Sequence, residues 1–313
     1  MLAWVTGASG FVGYAVAERL VARGDDVVVY VRPSSRGRVP SGTRVVEGSL
    51  PDVSALASLP PPDVVFHCAA VIDCNDAEGR RVHVDGTLAL ADAAHGARFV
   101  HVSTTDVLPD ASASPLDETS LCAPRDAYGR TKLDGERRLL AARPDAVVLR
   151  PPGIYGPRSQ RDVVLHLAKR IARGTYFHVG DGNALRPWLF VENLVDALLH
   201  AATFRDLHGV YLVDDGRAVS RREMAAEIAR ALGKSPRFAS LPVPAARVVA
   251  RVLENTLPRL GMRSPLTTSG IRYATTPLTL DTTRWKSTGF RARYDLRAGV
   301  RATVAWGRAT GRL

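Results

Sequence analysis

Tyr128 and Lys132 stand four residues apart in the segment "AYGRTK", directly before the apolar-patterned stretch "LDGERRLLAA". On a helix, side chains at positions i and i+4 share a face, so this spacing places a phenol beside an ammonium group. A free tyrosine has a pKa of about 10, too high for proton transfer near neutrality, and a neighbouring ammonium lowers that pKa. The pair therefore predicts a tyrosine that exchanges a proton with a substrate oxygen while hydride moves at the adjacent carbon. The alternative is an exposed tyrosine and lysine on a polar helix.

Three hydroxyl side chains, those of Ser103, Thr104 and Thr105, lie in the segment "FVHVSTTDV" (99–107), where an apolar run ends. Parallel sheets bind their ligands at the carboxyl edge, where the strands end. We therefore expect one of these hydroxyls to hydrogen-bond the reacting oxygen. Threonines at strand ends are common, so these hydroxyls indicate an active site only in combination with Tyr128 and Lys132.

A glycine-rich segment, "VTGASGFVG", separates the first apolar run from the first helical pattern. Gly7, Gly10 and Gly13 would respectively allow a tight turn, a close backbone approach to a pyrophosphate, and close packing of helix on strand. The N-terminus of the following helix offers unpaired N–H groups and a positive dipole end to phosphates. This context predicts a dinucleotide-binding loop rather than an ordinary turn.

The segment "VVVYVRPSSRGR" (27–38) begins as a strand and ends as a basic loop. Dinucleotide-binding folds often end this strand with a carboxylate that holds the ribose hydroxyls and repels a 2′-phosphate. Val31 occupies that position, and Arg32 follows it with a guanidinium suited to phosphate. We therefore predict NADP(H) in preference to NAD(H), held by Arg32 and Arg36. A solvated basic turn in an arginine-rich chain is the alternative.

Short apolar runs alternate with helical patterns through the first half of the chain and must position these residues. The runs are 2–6, 27–31, 43–47, 63–70, 97–104 and 146–150, and the helical patterns between them include 11–24 and 80–96. Uninterrupted apolar strands are typical of a parallel sheet that is covered on both faces. The alternation predicts an α/β fold of the Rossmann type, a doubly wound parallel sheet.

The pattern changes after Pro151. Helices are predicted at 220–233, at 242–257 and at 295–307, the first with a capping box formed by Ser220 and Glu223 and the last with Asp295 as its cap. We expect an NADP-binding Rossmann domain over 1–152 and a smaller, mixed substrate-binding lobe over 153–313. Residues 187–215 are expected to return to the Rossmann sheet.

Composition limits the classes of function. The 313 residues carry a net charge of +11, but their arginines are spread along the chain and aromatics make up only 6%. This distribution does not form the clustered basic patch of a nucleic-acid-binding protein. No apolar run approaches the roughly 20 residues of a membrane span, and the first residues lack the features of a secretory signal, so we expect a cytoplasmic protein. The three cysteines and the scattered histidines lack metal-ligand spacing, and no metal is expected.

The segments "TGASGFVG", "HCAA", "VSTT", "YGRTK" and "RPPGIYGP" occur in this order. In this the chain resembles the extended short-chain dehydrogenase/reductase superfamily, also called the NAD-dependent epimerase/dehydratase family, over nearly its whole length. The resemblance implies that Tyr128 transfers the proton, that Lys132 binds the nicotinamide ribose and tunes the tyrosine, and that Thr104 is the active-site hydroxyl.

The resemblance also implies a larger set of binding residues. Leu50 would lie near the adenine, Pro151 near the nicotinamide, and Gly153 and Ile154 at the start of the substrate pocket. The implied cofactor-binding residues are Gly7, Gly10, Phe11, Val12, Gly13, Arg32, Arg36, Leu50, Ala69, Ala70, Lys132 and Pro151, and the implied substrate residues are Gly153, Ile154 and Arg186.

Two positions depart from the family pattern. His83 replaces an asparagine associated with a proton relay or a helix kink, and Leu108–Pro109 replaces a Tyr-Gly pair at the rim of the pocket.

Several segments, including "VVFHCAAVID" and "FVENLVDALLHAA", look most like the 3β-hydroxysteroid and sterol dehydrogenase branch. This predicts an NADPH-dependent ketoreductase or alcohol dehydrogenase for a hydrophobic small-molecule ketone of the sterol, β-keto-lipid or polyketide type. The apolar segment "LPVPAARVVARVL" would cover such a substrate, or it is simply the core of the lobe.

Three other questions stay open. A nucleotide-sugar epimerase or reductase would use Arg186 to hold a diphosphate, although Thr105 and Asp106 disfavour a dehydratase. A non-catalytic dinucleotide sensor is disfavoured by Tyr128 and Lys132, while His83 keeps that alternative open. A homodimer through two long sheet-flanking helices is common in the superfamily, and nothing in this sequence decides it.

Overall fold

A central parallel sheet is formed by the short apolar runs. The structure is a computed structural model that describes residues 1–110, 112, 114–159, 163–262 and 264–313, with only the backbone of Arg259 and Leu260. The strands are β1 (Leu2–Thr6), β2 (Asp26–Val31), β3 (Arg44–Glu47), β4 (Val64–His67), β5 (Arg98–Val102), β6 (Val147–Arg150), β7 (Gly153–Tyr155), β8 (His178–Val179), β9 (Leu185–Arg186), β10 (Trp188–Phe190), β11 (Gly209–Leu212), β12 (Val219–Ser220) and β13 (Ser240–Leu241). Seven of them form the sheet in the order β11-β6-β5-β4-β1-β2-β3, with every neighbouring pair parallel.

Helices connect and cover these strands. They are α1 (Phe11–Ala22), α2 (Asp76–Gly79), α3 (Gly86–Ala93), α4 (Ala127–Ala142), α5 (Val163–Ala172), α6 (Val191–Thr203), α7 (Arg221–Leu232), α8 (Val243–Thr256), α9 (Thr268–Thr275), α10 (Thr283–Ser287) and α11 (Leu296–Ala309). None of the helices in the described residues is both long and apolar enough to cross a membrane.

The doubly wound α/β fold is confirmed, and so are the predicted caps of two helices. The side chain of Ser220 accepts a hydrogen bond from the N–H of Glu223, and α7 ends at Gly233, whose φ of 74° is left-handed. Asp295 accepts a hydrogen bond from the N–H of Ala298 at the start of α11. Each cap satisfies a backbone donor that the first helical turn leaves unpaired.

The region 76–93 differs from the single predicted helix. A π-helical turn (Arg80–Asp85) separates α2 from α3, and it contains His83. Helix α9 is not among the helices predicted above. It begins after Thr267, whose side chain accepts a hydrogen bond from the N–H of Gly270. Both departures concern helices that lie beside the candidate site described below.

Two hydrophobic cores cover the faces of the sheet, and a third lies in the second half of the chain. The third core packs α5, α7 and α11 together around Tyr155, Trp188 and Met224. Helix α6 packs on the sheet through Leu194 and Leu198, and β11 pairs with β6 at the sheet's edge.

Candidate active site

The glycine-rich loop lies at the carboxyl end of β1, and two of its glycines are required by geometry. Gly7 has a φ of +72°, and a Cβ atom there would lie 2.8 Å from the backbone nitrogen of Ala69. A Cβ atom on Gly13 would lie 2.4 Å from the carbonyl oxygen of Gly7, so only glycine lets α1 pack this closely on β1. Any larger residue at either position would force the loop to shift.

The N-terminus of α1 is open for a ligand. Gly10 precedes the helix and is exposed, and no side chain of the described residues caps this end. The N–H groups of Phe11, Val12 and Gly13 therefore belong to an uncapped first turn, which is the arrangement that binds phosphate. The loop thus fits the pyrophosphate of a dinucleotide cofactor.

The basic loop after β2 is a 3-10 helix (Pro33–Arg38) that begins directly after Arg32. The Arg32 side chain is exposed, whereas Arg38 donates a hydrogen bond to the buried Ser35 at 2.9 Å. Arg36 pairs with Glu47 at 3.0 Å, and both side chains are exposed. Of the two arginines predicted to clamp a phosphate, Arg36 already has an acidic partner.

Glu47 is a residue that the sequence reasoning missed. It ends β3 and lies directly opposite Val31 in the parallel register of β2 and β3. A carboxylate therefore stands one strand away from the position where dinucleotide-binding folds often carry an acid. Its signal in the sequence was only an acidic residue at the end of the third apolar run.

The remaining predicted cofactor residues lie along the same edge of the sheet. Leu50 is buried, and its Cβ lies 2.8 Å from the place of a Cβ on Gly86. Ala69 is half-buried, while Ala70 is exposed. The carbonyl oxygen of Pro151 accepts a hydrogen bond from the N–H of Thr105 at 2.9 Å.

The three hydroxyls after β5 have separate environments. Ser103 donates a hydrogen bond to the buried carboxylate of Glu136 and does not line the cavity beside Thr104. Thr104 accepts a hydrogen bond from the N–H of Asp106 at 3.1 Å and lines a cavity. Thr105 lines the same cavity. The structure thus favours Thr104 or Thr105, and not Ser103, for contact with a substrate.

Tyr128 lies near the start of α4, beside Thr104. Burial raises the pKa of its phenol, the nearby Asp106 carboxylate raises it further, and a hydrogen bond with Thr104 opposes the rise. The ring of His83 meets the phenol edge to face, with 5.5 Å between ring centroids and an interplanar angle of 82°. The phenol is therefore protonated at neutral pH.

Lys132 is only 1% exposed and points beneath the site. Its ammonium donates to the carbonyl oxygen of Val102 at 2.6 Å and to Nε2 of His101 at 3.1 Å. Burial lowers the pKa of Lys132 to about 8, while the carboxylate of Glu136 opposes this change. Because its ammonium is bonded to these two groups, the proposed tuning of Tyr128 by Lys132 stays a prediction.

His83 has a fixed tautomer. Its Nε2 accepts a hydrogen bond from the N–H of Val71 at 3.0 Å, so its proton lies on Nδ1 and is donated to Thr131 at 2.8 Å. Thr131 in turn donates to the carbonyl oxygen of Ala127 at 2.7 Å, one residue before Tyr128. Burial lowers the pKa of His83 to about 3, with Lys132 adding to this change. His83 is therefore a neutral side chain that ties the π-helical turn to the start of α4.

His67 continues this arrangement. Thr87 donates to the carbonyl oxygen of His83 at 2.7 Å, so it accepts from Nε2 of His67 at 2.9 Å. Nδ1 of His67 then accepts from the hydroxyl of Thr6 at 2.6 Å, at the end of β1. We call His67, His83, His101, Thr6, Thr87, Thr131 and Lys132 the buried network.

His67 and His101 lie opposite each other in β4 and β5, with 5.0 Å between ring centroids. Burial lowers the pKa of both imidazoles well below the usual value, and the ammonium of Lys132 adds to the change. The sequence showed these histidines only as polar residues inside apolar strands.

A buried ion pair fixes α4 to the sheet. Nη2 of Arg150 lies 2.6 Å from the Glu136 carboxylate, and both side chains are at most 5% exposed. Glu136 also accepts the hydrogen bond from Ser103 and helps to keep Lys132 charged. Since α4 also carries Tyr128 and Lys132, this pair positions the catalytic candidates.

A cavity of about 330 Å³ opens beside Thr104, and we call it the inner cavity. Three residues were predicted to bind the substrate. Gly153 and Arg186 line this cavity, whereas Ile154 packs into the hydrophobic cores. Arg186 donates to the carbonyl oxygens of Asp110 and Thr276, at 3.1 and 3.2 Å. Its guanidinium lies 4.0 Å from the centroid of the Tyr273 ring.

Two further arginines approach the inner cavity around one carboxylate. Arg125 forms an ion pair with Asp110, and Arg272 lies 3.4 Å from the same carboxylate. We call Asp110, Arg125, Arg186 and Arg272 the charged wall. The basic residues were not recognised in the sequence as a group because they belong to segments far apart in the chain.

A second cavity, of about 570 Å³, adjoins the first and shares Tyr273 with it, and we call it the outer cavity. Its lining combines apolar side chains with Lys169, Arg170, Arg221 and Arg312. The described residues contain no cluster of three or more His, Cys, Asp or Glu side chains that could hold a metal ion.

Comparisons with known proteins agree with this geometry. The family model described as the NAD dependent epimerase/dehydratase family matches residues 3–213. The chain is 31% identical to a probable dTDP-4,6-dihydroxy-2-methyloxan-3-one 4-ketoreductase of Streptomyces antibioticus, over 74% of this chain and 77% of that protein. It is also 31% identical to a 4-hydroxy-2-methyl-3-oxo-4-farnesyl-3,4-dihydroquinoline-1-oxide ketoreductase of Stigmatella aurantiaca, over 82% and 80% of the two chains.

Among solved structures, the fold is similar to that of the Bordetella bronchiseptica enzyme WbmG in complex with NAD. The TM-score is 0.79 at 22% identity, and the match covers 99% of this chain and 95% of that one. The predicted family is confirmed, whereas the sterol dehydrogenase branch stays a prediction. Since the family model spans most of the chain and both ketoreductases align over most of their length, the protein belongs to the NAD-dependent epimerase/dehydratase family and is an NAD(P)-dependent enzyme of the oxidoreductase type.

Proposed function

We propose that this enzyme is an NADPH-dependent ketoreductase, or in reverse an alcohol dehydrogenase, for a hydrophobic ketone of the sterol, β-keto-lipid or polyketide type. The observation that carries the proposal is the position of the Tyr128 phenol, which hydrogen-bonds with Thr104 after β5 and meets the ring of His83 edge to face. A protonated acid at this position is what an oxygen needs as it gains negative charge during reduction. The two ketoreductases among the relatives support this reaction class.

Each residue of the site has a defined task in this proposal. A nicotinamide cofactor, when bound, supplies the hydride. Gly7, Gly10 and the N-terminus of α1 would hold its pyrophosphate, and Arg32 would contact a 2′-phosphate. Thr104 holds the carbonyl oxygen of the substrate, and Tyr128 gives that oxygen a proton.

The outer cavity supports a hydrophobic substrate. Its wall includes Val163, Leu167, Phe177, Val179 and Leu266, which offer a large apolar surface beyond the charged wall. Apolar lining with a few convergent polar groups is the usual character of a small-molecule site. One relative also acts on a farnesyl-substituted quinoline, according to its name.

A second candidate is a nucleotide-sugar reductase or epimerase, and the charged wall favours it. Arg125 and Arg186 both line the inner cavity, where they would attract a substrate anion such as a diphosphate. The ketoreductase of Streptomyces antibioticus acts on a dTDP-linked sugar, according to its name.

The test measures NADPH consumption with sterol-like ketones, β-keto esters, and dTDP- or UDP-linked sugars. Changing Tyr128→Phe should reduce ketone turnover by about 10²- to 10⁴-fold, since it removes the proton donor. NADPH binding, followed by cofactor fluorescence, should stay nearly unchanged. Tyr211→Phe is the control, because Tyr211 is a buried tyrosine that lies in β11.

Full turnover by Tyr128→Phe would remove this residue from its proposed role. Turnover or thermal stabilisation with sugar nucleotides, together with none for any ketone, would favour the second candidate.

A further inference from the structure

Helix α8 buries small side chains and exposes larger apolar ones. Ala246 and Ala250 are fully buried, whereas Val248 and Val252 are 62% and 55% exposed. Burial of valine is more favourable than burial of alanine, so a helix that packs only within its own lobe would place valines inside. In α8, Val243 packs against this core and Leu253 is half-buried, but three further valines lie outside it.

The exposed side chains of α8 form one surface. Val248 and Val252 are four residues apart and share a face, and Val249, which is 42% exposed, lies beside them. Two other large apolar side chains that are exposed belong to this region: Met262, which follows α8 closely in the chain, and Tyr273 of α9, the helix that packs on α8. We call Val248, Val249 and Val252 the valine face.

The surroundings of the valine face are basic. Helix α8 itself carries two basic side chains, Arg247 and Arg251, and a single acidic one, Glu254. Arg247 and Arg251 are exposed beside the valines, while Glu254 is half-buried and accepts a hydrogen bond from the N–H of Thr268 at 3.0 Å. The outward surface of α8 therefore combines apolar and cationic groups.

We propose that the valine face docks on a membrane surface that contains anionic lipid, with α8 lying in the plane of the interface. Helices with apolar side chains next to arginines bind there, because the apolar groups enter the acyl boundary and the guanidinium groups meet anionic headgroups. A second copy of the chain fits less well. A two-fold contact would bring Arg247 and Arg251 against their own copies, without exposed acids from this helix to pair with them.

The position of α8 is suited to this task. Ala246 and Ala250 pack with Ile271 of α9, and α9 also carries Tyr273, which lines both cavities. The valine face is thus one helix away from the cavity walls. If the proposed function is right, a ketone dissolved in the membrane would enter the cavities from this side. The docking of α8 on the membrane does not depend on the proposed function.

Co-sedimentation of the full chain with vesicles tests the proposal. The protein should sediment with an equal mixture of phosphatidylcholine and phosphatidylglycerol, sediment much less with phosphatidylcholine alone, and be released as salt is raised. The double variant Val248→Gln/Val252→Gln should bind the mixed vesicles about tenfold more weakly or worse, because it removes the apolar contact. Leu121→Gln is the control, since Leu121 is 84% exposed elsewhere and its change should leave binding unaltered.

Two measurements keep the result unambiguous. The double variant should unfold at the wild-type temperature, because both valines are exposed. If it does not fold, Arg247→Gln/Arg251→Gln replaces it and should lose the preference for phosphatidylglycerol. Docking is overturned if the wild type stays in the supernatant, or if the folded variants sediment as well as the wild type. It is also overturned if gel filtration shows a dimer that the double valine variant dissociates. Binding of an acidic protein to the wild type, without any sedimentation with vesicles, would overturn it as well. Ketone turnover measured without vesicles reports on the proposed function separately.

Discussion

The buried network and the charged wall lie on two sides of Thr104 and Tyr128, and they are built in opposite ways. In the buried network, His67 and His83 are neutral and each has a donor and an acceptor of defined direction. In the charged wall, Arg125 and Arg272 share the carboxylate of Asp110, and their side chains are 45% and 58% exposed.

This difference separates positioning from recognition. Buried hydrogen-bonded groups cannot be exchanged without leaving a partner unsatisfied, so the buried network holds α4 and its catalytic candidates in one arrangement. Exposed ion pairs contribute little to stability, so the arginines of the charged wall can turn from Asp110 to a substrate anion at little cost. The first region should therefore resist substitution, and the second should tolerate it while substrate binding changes.

Acid is the condition that should break the buried network most strongly. The folded pKa values of His67, His83 and His101 lie below the usual 6.5. The unfolded chain therefore binds more protons below pH 6.5, and stability that is fully present above this pH is lost as the pH falls. Each histidine adds about 1.4 kcal/mol per pH unit to the slope, about 4 kcal/mol for the three.

Urea unfolding at a series of pH values measures this slope. His83→Asn should reduce the slope by about one proton's contribution. A free energy of unfolding that does not change between neutral and mildly acidic pH would show that these histidines are not held neutral.

Glu136→Gln should have the next largest effect. It leaves the guanidinium of Arg150 buried without its carboxylate, which costs about 3–5 kcal/mol. Asp134→Asn is the control in the same helix, because Asp134 pairs with the exposed Arg80 and should cost less than about 1 kcal/mol. Equal losses of unfolding free energy for the two variants would show that burial does not distinguish these pairs.

The cofactor half of the molecule could be predicted because its signals are local. Gly7 and Gly13 are required by contacts within the turn and its neighbouring strand, and the apolar runs define parallel strands by themselves. The same locality explains the helix caps. Tyr128 and Lys132 were proposed from their spacing, which did not show that Lys132 bonds to Val102 and His101.

The rest of the site depends on contacts that sequence spacing does not reveal. Arg125, Arg186 and Tyr273 meet at the inner cavity from three separate segments. His83, in the π-helical turn, hydrogen-bonds to Val71 and Thr131, which are distant from it in the sequence. A sequence pattern marks such residues as polar, but the partner of each is decided by the packing of distant elements.

Arg186 offers a direct test of the recognition side of the comparison. Arg186→Gln should raise the KM of an anionic sugar nucleotide by about tenfold or more, since it removes a charged hydrogen-bond donor. Arg186→Lys keeps the charge and should retain more of the binding. For a neutral ketone, as we propose, both variants should have a similar KM within about threefold. Steady-state kinetics with both substrate classes measures this. A large rise in the KM of the neutral ketone in both variants would contradict the prediction, because it would show that Arg186 contacts the ketone by more than its charge.

The smallest effect is expected where the adenosine part of the cofactor would bind. There we expect Arg32 and Glu47 to have opposite effects on the preference for NADPH over NADH. Arg32→Ala should lower the ratio of NADPH to NADH affinity by about tenfold, because it removes the guanidinium proposed to meet the 2′-phosphate. Glu47→Gln should raise that ratio by a few-fold, because it removes a carboxylate opposite Val31 and releases Arg36 from its ion pair.

Arg38→Ala is the control for this pair of variants, since Arg38 is exposed and bonded to Ser35. Affinities for both cofactors are measured by fluorescence titration at one ionic strength, because salt screens exposed charges. An unchanged ratio in Arg32→Ala would refute the NADP preference. A fall in the affinity ratio for Glu47→Gln would instead mean that the Arg36–Glu47 ion pair holds the loop in the form that binds the 2′-phosphate. The Glu47 carboxylate would then support NADPH binding, which it is expected to weaken.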